Sequence, residues 1–137
     1  MFSRDQLETA ADLVHAAMLP TPALNWPLLS AALGGDVWVK HENHTPVGAF
    51  KIRGGLVYFA NLIKAGNRPP GVISATRGNH GQSVGFAAAR HGLPATIVVP
   101  YGNSVEKNAA MRSLGDELIE HGEDFQESRE FAVALAD

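Results

Sequence analysis

The sequence has no cysteine. That excludes disulfide scaffolds, thiolate zinc sites and cysteine nucleophiles. It also lacks a long apolar run: none approaches the roughly 18–20 residues of a membrane span. It carries no excess of positive charge. Eleven Lys+Arg against fourteen Asp+Glu give a net charge of -3, so the basic footprint of a nucleic-acid binder is missing. The opening Met1-Phe2-Ser3-Arg4-Asp5-Gln6 is too polar for a signal peptide. These absences lead us to expect a soluble, cytoplasmic protein with no nucleic-acid or membrane partner. What is present has globular character: 45% of residues are of the AVILMFWYC set and 18% are charged. At 137 residues the chain is long enough for one domain with a proper core. Its last residues, from Phe131 to Asp137, read as the inside of a helix rather than as an ending.

Ser3 and Gln6 have capping-box spacing, and Leu7, Ala10, Ala11, Val14 and Met18 share one face, so a helix is predicted over 3–18. Pro20, Pro22 and Pro27 forbid its continuation. A short helix over Leu28–Leu33 is stopped by Gly34-Gly35, a strand covers Val37–Lys40, and a loop follows over His41–Gly48. From Lys51 the residues Ile52, Leu56, Phe59, Ala60 and Ile63 repeat at helical spacing up to Gly66. Gly54 and Gly55 inside this helix each cost about 1 kcal/mol relative to alanine, which calls for close packing or a ligand. Strands follow at Val72–Ala75, Thr96–Val99 and Glu117–His121. Helices alternate with them over Gln82–His91, after an Asn103 cap with Glu106, and after Asp124 with Glu127. This alternation predicts an α/β fold: a parallel sheet with flanking helices.

Ligands of such sheets bind beyond the carboxyl ends of the strands, and two loops fit that place. Thr76-Arg77-Gly78-Asn79-His80-Gly81-Gln82 joins a strand to a helix start. Its glycines let backbone N–H groups approach a ligand, and the helix N-terminus favours an anion. An ordinary tight turn fits the pattern equally well. Gly48-Ala49-Phe50-Lys51-Ile52-Arg53-Gly54-Gly55 puts a lysine at a helix start, where a cation is unfavourable. A lysine in that place can serve as a Schiff-base nucleophile, although spacing alone favours a solvated side chain. His41 and His44 lack a third metal ligand in sequence reach, and His15, His91 and His121 read as surface residues. No G-x-G-x-x-G, Gly-x-Ser-x-Gly or Walker pattern occurs.

Taken together, the two loops resemble the fold-type-II pyridoxal-phosphate enzymes, most closely the threonine/serine dehydratases. The residues that carry the likeness are Thr21-Pro22, Val37–Lys40, Glu42-Asn43, Phe50-Lys51-x-Arg53-Gly54, Gly71–Ser74, Gly78–Gln82 and Ala95–Pro100. They run in order through essentially the whole chain. The resemblance implies pyridoxal 5′-phosphate as cofactor and an amino-acid substrate, a 3-hydroxy amino acid converted to a 2-oxo acid and ammonia. It implies Lys51 as the Schiff-base lysine and the base for the substrate Cα proton. It implies Phe50 beside the cofactor ring and Asn79 on its phenolic oxygen. Thr76, Gly78, Asn79 and His80 would hold the substrate carboxylate, and no metal is called for. It further implies residues 1–50 as an arm on a large domain, residues 51–137 as an incomplete small α/β domain, and a homo-oligomer at full length.

The sequence departs from the family pattern in three places. Ala49 stands where dehydratases usually have serine. Thr76-Arg77 replaces Ser-Ala or Ser-Ser, and the serine at the Arg77 position is the second acid/base of the family's racemases. Arginine is always protonated, so racemisation is not expected, and Arg77 suits substrates with a second carboxylate. The family's glycine-rich phosphate loop and its pyridine-nitrogen residue have no counterpart, so weak cofactor binding and little turnover are expected of this chain alone. Threonine synthase, cysteine synthase and diaminopropionate-type lyases share both loops and remain alternatives, as does a non-catalytic remnant with an exposed apolar face.

Overall fold

The computed structural model describes residues 2–66 and 68–136; Met1, Asn67 and Asp137, the last of them the end of the predicted terminal helix, lie outside the described residues. Helix α1 (Arg4–His15) begins at the predicted cap. Ser3 Oγ accepts the Gln6 N–H at 3.2 Å, and Gln6 Oε1 accepts the Ser3 N–H at 3.0 Å. This satisfies N–H groups that a helix start leaves free. The helix is shorter than the predicted 3–18. Of its apolar face, Val14 and Met18 are buried against Ile52 and Leu56, while Leu7 stays exposed.

The proline-rich connection is more regular than expected. Ala23–Asn25 forms strand β1, antiparallel to β2 (Trp38–Lys40), with Ala23 opposite Lys40 and Asn25 opposite Trp38. Three residues flanked by prolines give no alternating run to read, so this strand is invisible in the sequence. The short helix α2 (Pro27–Leu33) returns the chain to it and ends at Gly34, whose φ of 71° is the left-handed cap conformation. A single 3₁₀ turn at Glu42–His44 interrupts the predicted loop.

Helix α3 (Lys51–Lys64) starts at the predicted residue and buries Ile52, Leu56 and Phe59. Strands β3 (Val72–Ala75), β4 (Ala95–Val99) and β5 (Glu117–Glu120) form a parallel sheet in the order β3-β4-β5. Helices α4 (Asn79–Arg90), α5 (Val105–Ser113) and α6 (Phe125–Ala136) follow them in turn. The main core joins Phe59 of α3, Ala87 and Ala88 of α4, Ile97 and Val99 of β4 and Met111 of α5. Side chains alternate along a strand, so Val98 points to the other face, where α6 packs on β3 and β4.

Boundaries shift in two informative places. The second crossover helix, α5, is capped by Ser104, not Asn103: Ser104 Oγ accepts the Lys107 N–H, while Asn103 Nδ2 donates to Asn108 Oδ1 at 2.6 Å. His121, expected at the surface, is half-buried and stacked on Phe131 at 3.9 Å.

Candidate active site

The chain ahead of Lys51 is locked in a tight loop. Thr45 Oγ1 donates to the Ala49 carbonyl at 2.9 Å and accepts the Ala49 N–H at 2.8 Å, and Val47 and Ala49 are buried beneath it. Gly48 makes the bend at a φ of 65°, a conformation that costs glycine little. The loop delivers Phe50 and Lys51 to the start of α3, and both side chains are exposed. From the other side, Ser83 Oγ of α4 donates to the Lys51 carbonyl at 2.7 Å. A Cβ on Gly55 would collide with Ser83, so Gly55 is required by close helix packing. A Cβ on Gly54 would meet nothing within 4 Å; that glycine borders open space. Neither Thr45 nor Ser83 stands out in the sequence. The helical Gly55 signals a close approach but does not name the partner.

Helix α4 begins at Asn79, earlier than the predicted Gln82, which shortens the turn to Thr76-Arg77-Gly78. The reason is the buried Thr76 hydroxyl, which accepts the Gly78 N–H at 3.1 Å and the Gly81 N–H at 3.2 Å and so takes over the work of a cap. The N–H groups of Asn79 and His80 keep no acceptor among the described residues and lie at the positive end of the helix. Gly81 has no room for a side chain, since a Cβ would stand 2.6 Å from Thr76 Cγ2 and 3.2 Å from Ile97 Cγ2.

An open groove of about 820 Å³ lies between α3, α4 and the edge of β3. Phe50, Lys51, Gly54, Ser74 and His80 are among its walls. Of the expected site residues, the groove therefore unites Phe50, Lys51 and His80. Thr76, Arg77, Gly78 and Asn79 do not line it; they form the turn from which His80 enters it. Burial pushes the His80 imidazole below its ordinary value, and the charge of Lys51 pushes in the same direction. Both effects favour the neutral ring, which can hydrogen-bond without adding charge. Arg77 is exposed. Among the described residues no three His, Asp or Glu side chains gather as a metal site, and His41 Nε2 instead accepts from Trp26 Nε1 at 3.3 Å.

The family described as pyridoxal-phosphate dependent enzyme matches residues 14–137. This chain belongs to that family. Among curated proteins, the biosynthetic L-threonine dehydratase of Haemophilus influenzae is 37% identical over 90% of this chain and 24% of that protein. The chain thus spans about a quarter of the length of that relative. Among solved structures, a pyridoxal 5′-phosphate-dependent aspartate racemase matches with a TM-score of 0.88 at 28% identity, over 95% of this chain and 41% of the other. The processed form of threonine deaminase isoform 2 from Solanum lycopersicum matches with a TM-score of 0.79 at 30% identity, over 98% of this chain and 40% of the other. The α/β fold with its parallel sheet is that of fold-type-II pyridoxal-phosphate enzymes.

The groove suits the family's cofactor at one end. It offers an exposed amine, an aromatic side chain and neighbouring N–H groups at a helix start. No phosphate-holding turn stands among the described residues. Gly34-Gly35 closes α2 and Gly54-Gly55 lies inside α3, so no adjacent glycine pair among the described residues stands in a strand-to-helix turn.

Proposed function

We propose that this chain is the lysine-bearing part of a pyridoxal 5′-phosphate-dependent dehydratase, acting on L-threonine, L-serine or a related 3-hydroxy amino acid to give a 2-oxo acid and ammonia. The observation that carries the reading is the placement of Lys51 at the head of α3, in one groove with Phe50 and His80 and beside the start of α4. The identity to L-threonine dehydratases supports the substrate class. When bound, the cofactor supplies an electron sink for charge at the substrate α carbon. Lys51 Nζ would hold it and, once displaced by the substrate amine, would be free to take the Cα proton. Phe50 would pack beside the ring, and the Asn79 amide, at the head of α4 beside the groove, would donate to its phenolic oxygen. The N–H groups of Asn79 and His80 receive the substrate carboxylate. Thr76 and Gly78 shape that cradle, because the Thr76 hydroxyl is already engaged by the turn.

Arg77 cannot shuttle a proton, so elimination without racemisation is expected, and its cation suits substrates with a second carboxylate. An assay for D-serine formed from L-serine should show no inversion comparable with elimination. Residues 1–50 are read as an arm for a large domain, and 51–137 as an incomplete small domain. With no phosphate-holding turn among the described residues, this chain alone should turn over little substrate. The reading extends to a cytoplasmic homo-oligomer. The deciding experiment adds pyridoxal phosphate, reduces with borohydride and maps the modified peptide. Labelling concentrated at Lys51, and lost in Lys51→Ala, is expected. Labelling scattered over Lys40, Lys64 and Lys107 would defeat the reading.

A further inference from the structure

Thr21, Glu42 and Arg53 are motif positions to which the proposed function gives no task. They lie far apart in sequence and converge in space. Arg53 Nε donates to Glu42 Oε2 at 2.8 Å, and an Arg53 terminal nitrogen donates to Glu42 Oε1 at 2.9 Å. This is the two-pronged guanidinium–carboxylate geometry, which fixes orientation as well as distance. The same nitrogen reaches Thr21 Oγ1 at 3.2 Å, and Thr21 Oγ1 donates to Glu42 Oε1 at 2.7 Å. Lys40 Nζ closes the cluster on the Thr21 carbonyl at 2.9 Å. Thr21 is buried, and the Arg53 and Glu42 side chains are 28% and 22% exposed, so the cluster is shielded on the β1–β2 side of α3.

We infer that Thr21, Glu42 and Arg53 form a clasp that positions Lys51. Arg53 sits in the first turn of α3, two residues after Lys51. That turn is held at three points: by the Thr45–Ala49 loop before it, by Ser83 on the Lys51 carbonyl, and by the clasp on Arg53. Among the side-chain hydrogen bonds of the described residues, the clasp is what ties the turn to the β1–β2 side, through Thr21 and Lys40. Without the clasp the turn keeps the Thr45–Ala49 loop and Ser83 but loses its side-chain tie on the β1–β2 side. Thr21, Glu42 and Arg53 are positioning residues: Arg53 borders the groove, but its guanidinium is engaged by Glu42 and Thr21, and the three act by orienting the helix start that bears the amine. The inference rests on the reading of Lys51 as the cofactor lysine, but it has a readout of its own.

The test uses the 137-residue chain and its Thr21→Val, Thr21→Ser, Glu42→Gln, Arg53→Ala and Arg53→Lys variants. Borohydride trapping of pyridoxal phosphate is mapped at Lys51 relative to Lys64, at the far end of the same helix. Brief labelling with trinitrobenzenesulfonate reports whether each amine stays accessible, and circular dichroism reports folding. Trapping at Lys51 should fall about tenfold or more in Thr21→Val, Glu42→Gln and Arg53→Ala, a loss expected of a small misplacement of a reacting group. Trinitrobenzenesulfonate labelling should not change. Thr21→Ser, which keeps the hydroxyl, should retain trapping. Arg53→Lys, which loses the fork, should not, and it serves as the readout if Arg53→Ala unfolds. Wild-type trapping in folded variants would overturn the clasp. Amide exchange over Gly54–Leu56 gives a cofactor-independent check. It should quicken in the variants relative to α4, and unchanged exchange overturns the clasp even if the parent chain never traps. A parent chain that traps no better at Lys51 than at Lys64 would instead sink the reading of Lys51.

Discussion

Two carboxylates show how neighbours decide the sign of a pH effect. Asp116 is buried where α4 meets the start of β5, its Oδ2 has no hydrogen-bond partner, and Gly85 faces it because a Cβ there would collide with the carboxylate. Burial pushes its carboxyl from the ordinary 3.8 up to about 6. The folded chain therefore binds this proton more tightly than the unfolded chain, and stability falls as pH rises from the unfolded value through the folded one. Asp116→Asn should raise the urea midpoint near pH 8 by about 1–2 kcal/mol of stability and change it little near pH 4. Glu42 behaves oppositely. The Arg53 guanidinium beside it holds its carboxyl down from 4.5 to about 2. Its contribution is present above the unfolded value and is lost as pH falls toward the folded one. The pair is part-exposed, so Glu42→Gln should cost only ~1 kcal/mol at neutral pH, read from the same denaturation curves.

At the scale of elements, glycine marks the places where two elements come closer than a side chain allows. Gly81 lets α4 lie against Thr76 and Ile97. Gly81→Ala should destabilise the chain by ~1–3 kcal/mol and shift the α4 start, measured by thermal melting and by amide exchange at Asn79 and His80. The capping box of α1 makes a smaller and local contribution. Ser3→Ala should cost ~1 kcal/mol of helix stability, visible as faster exchange in the first turn of α1 with β3–β5 unaffected. The α1 cap, the α3 start and the β3 strand are legible because each rests on a local pattern of spacing or apolar run. The α4 start is misplaced because its cap comes from Thr76, outside the helix, and a hydroxyl engaged across a turn leaves no periodic trace. Strand β1 is missed because its order comes from pairing with β2.

Across the whole molecule the apolar surface is uneven. Ile97, Val98 and Val99 are fully enclosed, yet Leu24, Leu28, Leu33 and Trp38, on β1, α2 and β2, are exposed, with Leu28 at 89% and Trp38 at 67%. Exposed large apolar groups on β1, α2 and β2 favour association. An apolar dye should bind the chain, and sizing should show concentration-dependent self-association; the double variant Leu28→Glu, Trp38→Lys should weaken both. A compact, dye-silent monomer would count against an unpartnered face here. The candidate site is also a property of the whole, since its groove needs α3, the edge of β3 and the start of α4 in one arrangement.

The sequence by itself determined the α/β alternation, the parallel strands, the lysine at a helix head and the family to which these motifs belong. Those features are written in local spacing and in ordered motifs, which need no knowledge of what lies across space. Tertiary structure alone decided which of the expected site residues share the groove, that Thr76 builds the turn with its hydroxyl, and that Asp116 Oδ2 is buried with no hydrogen-bond partner among the described residues. It alone joined Thr21, Glu42 and Arg53 into one clasp around the first turn of α3. Such contacts depend on distances between segments far apart in the chain, and no period along the sequence records them.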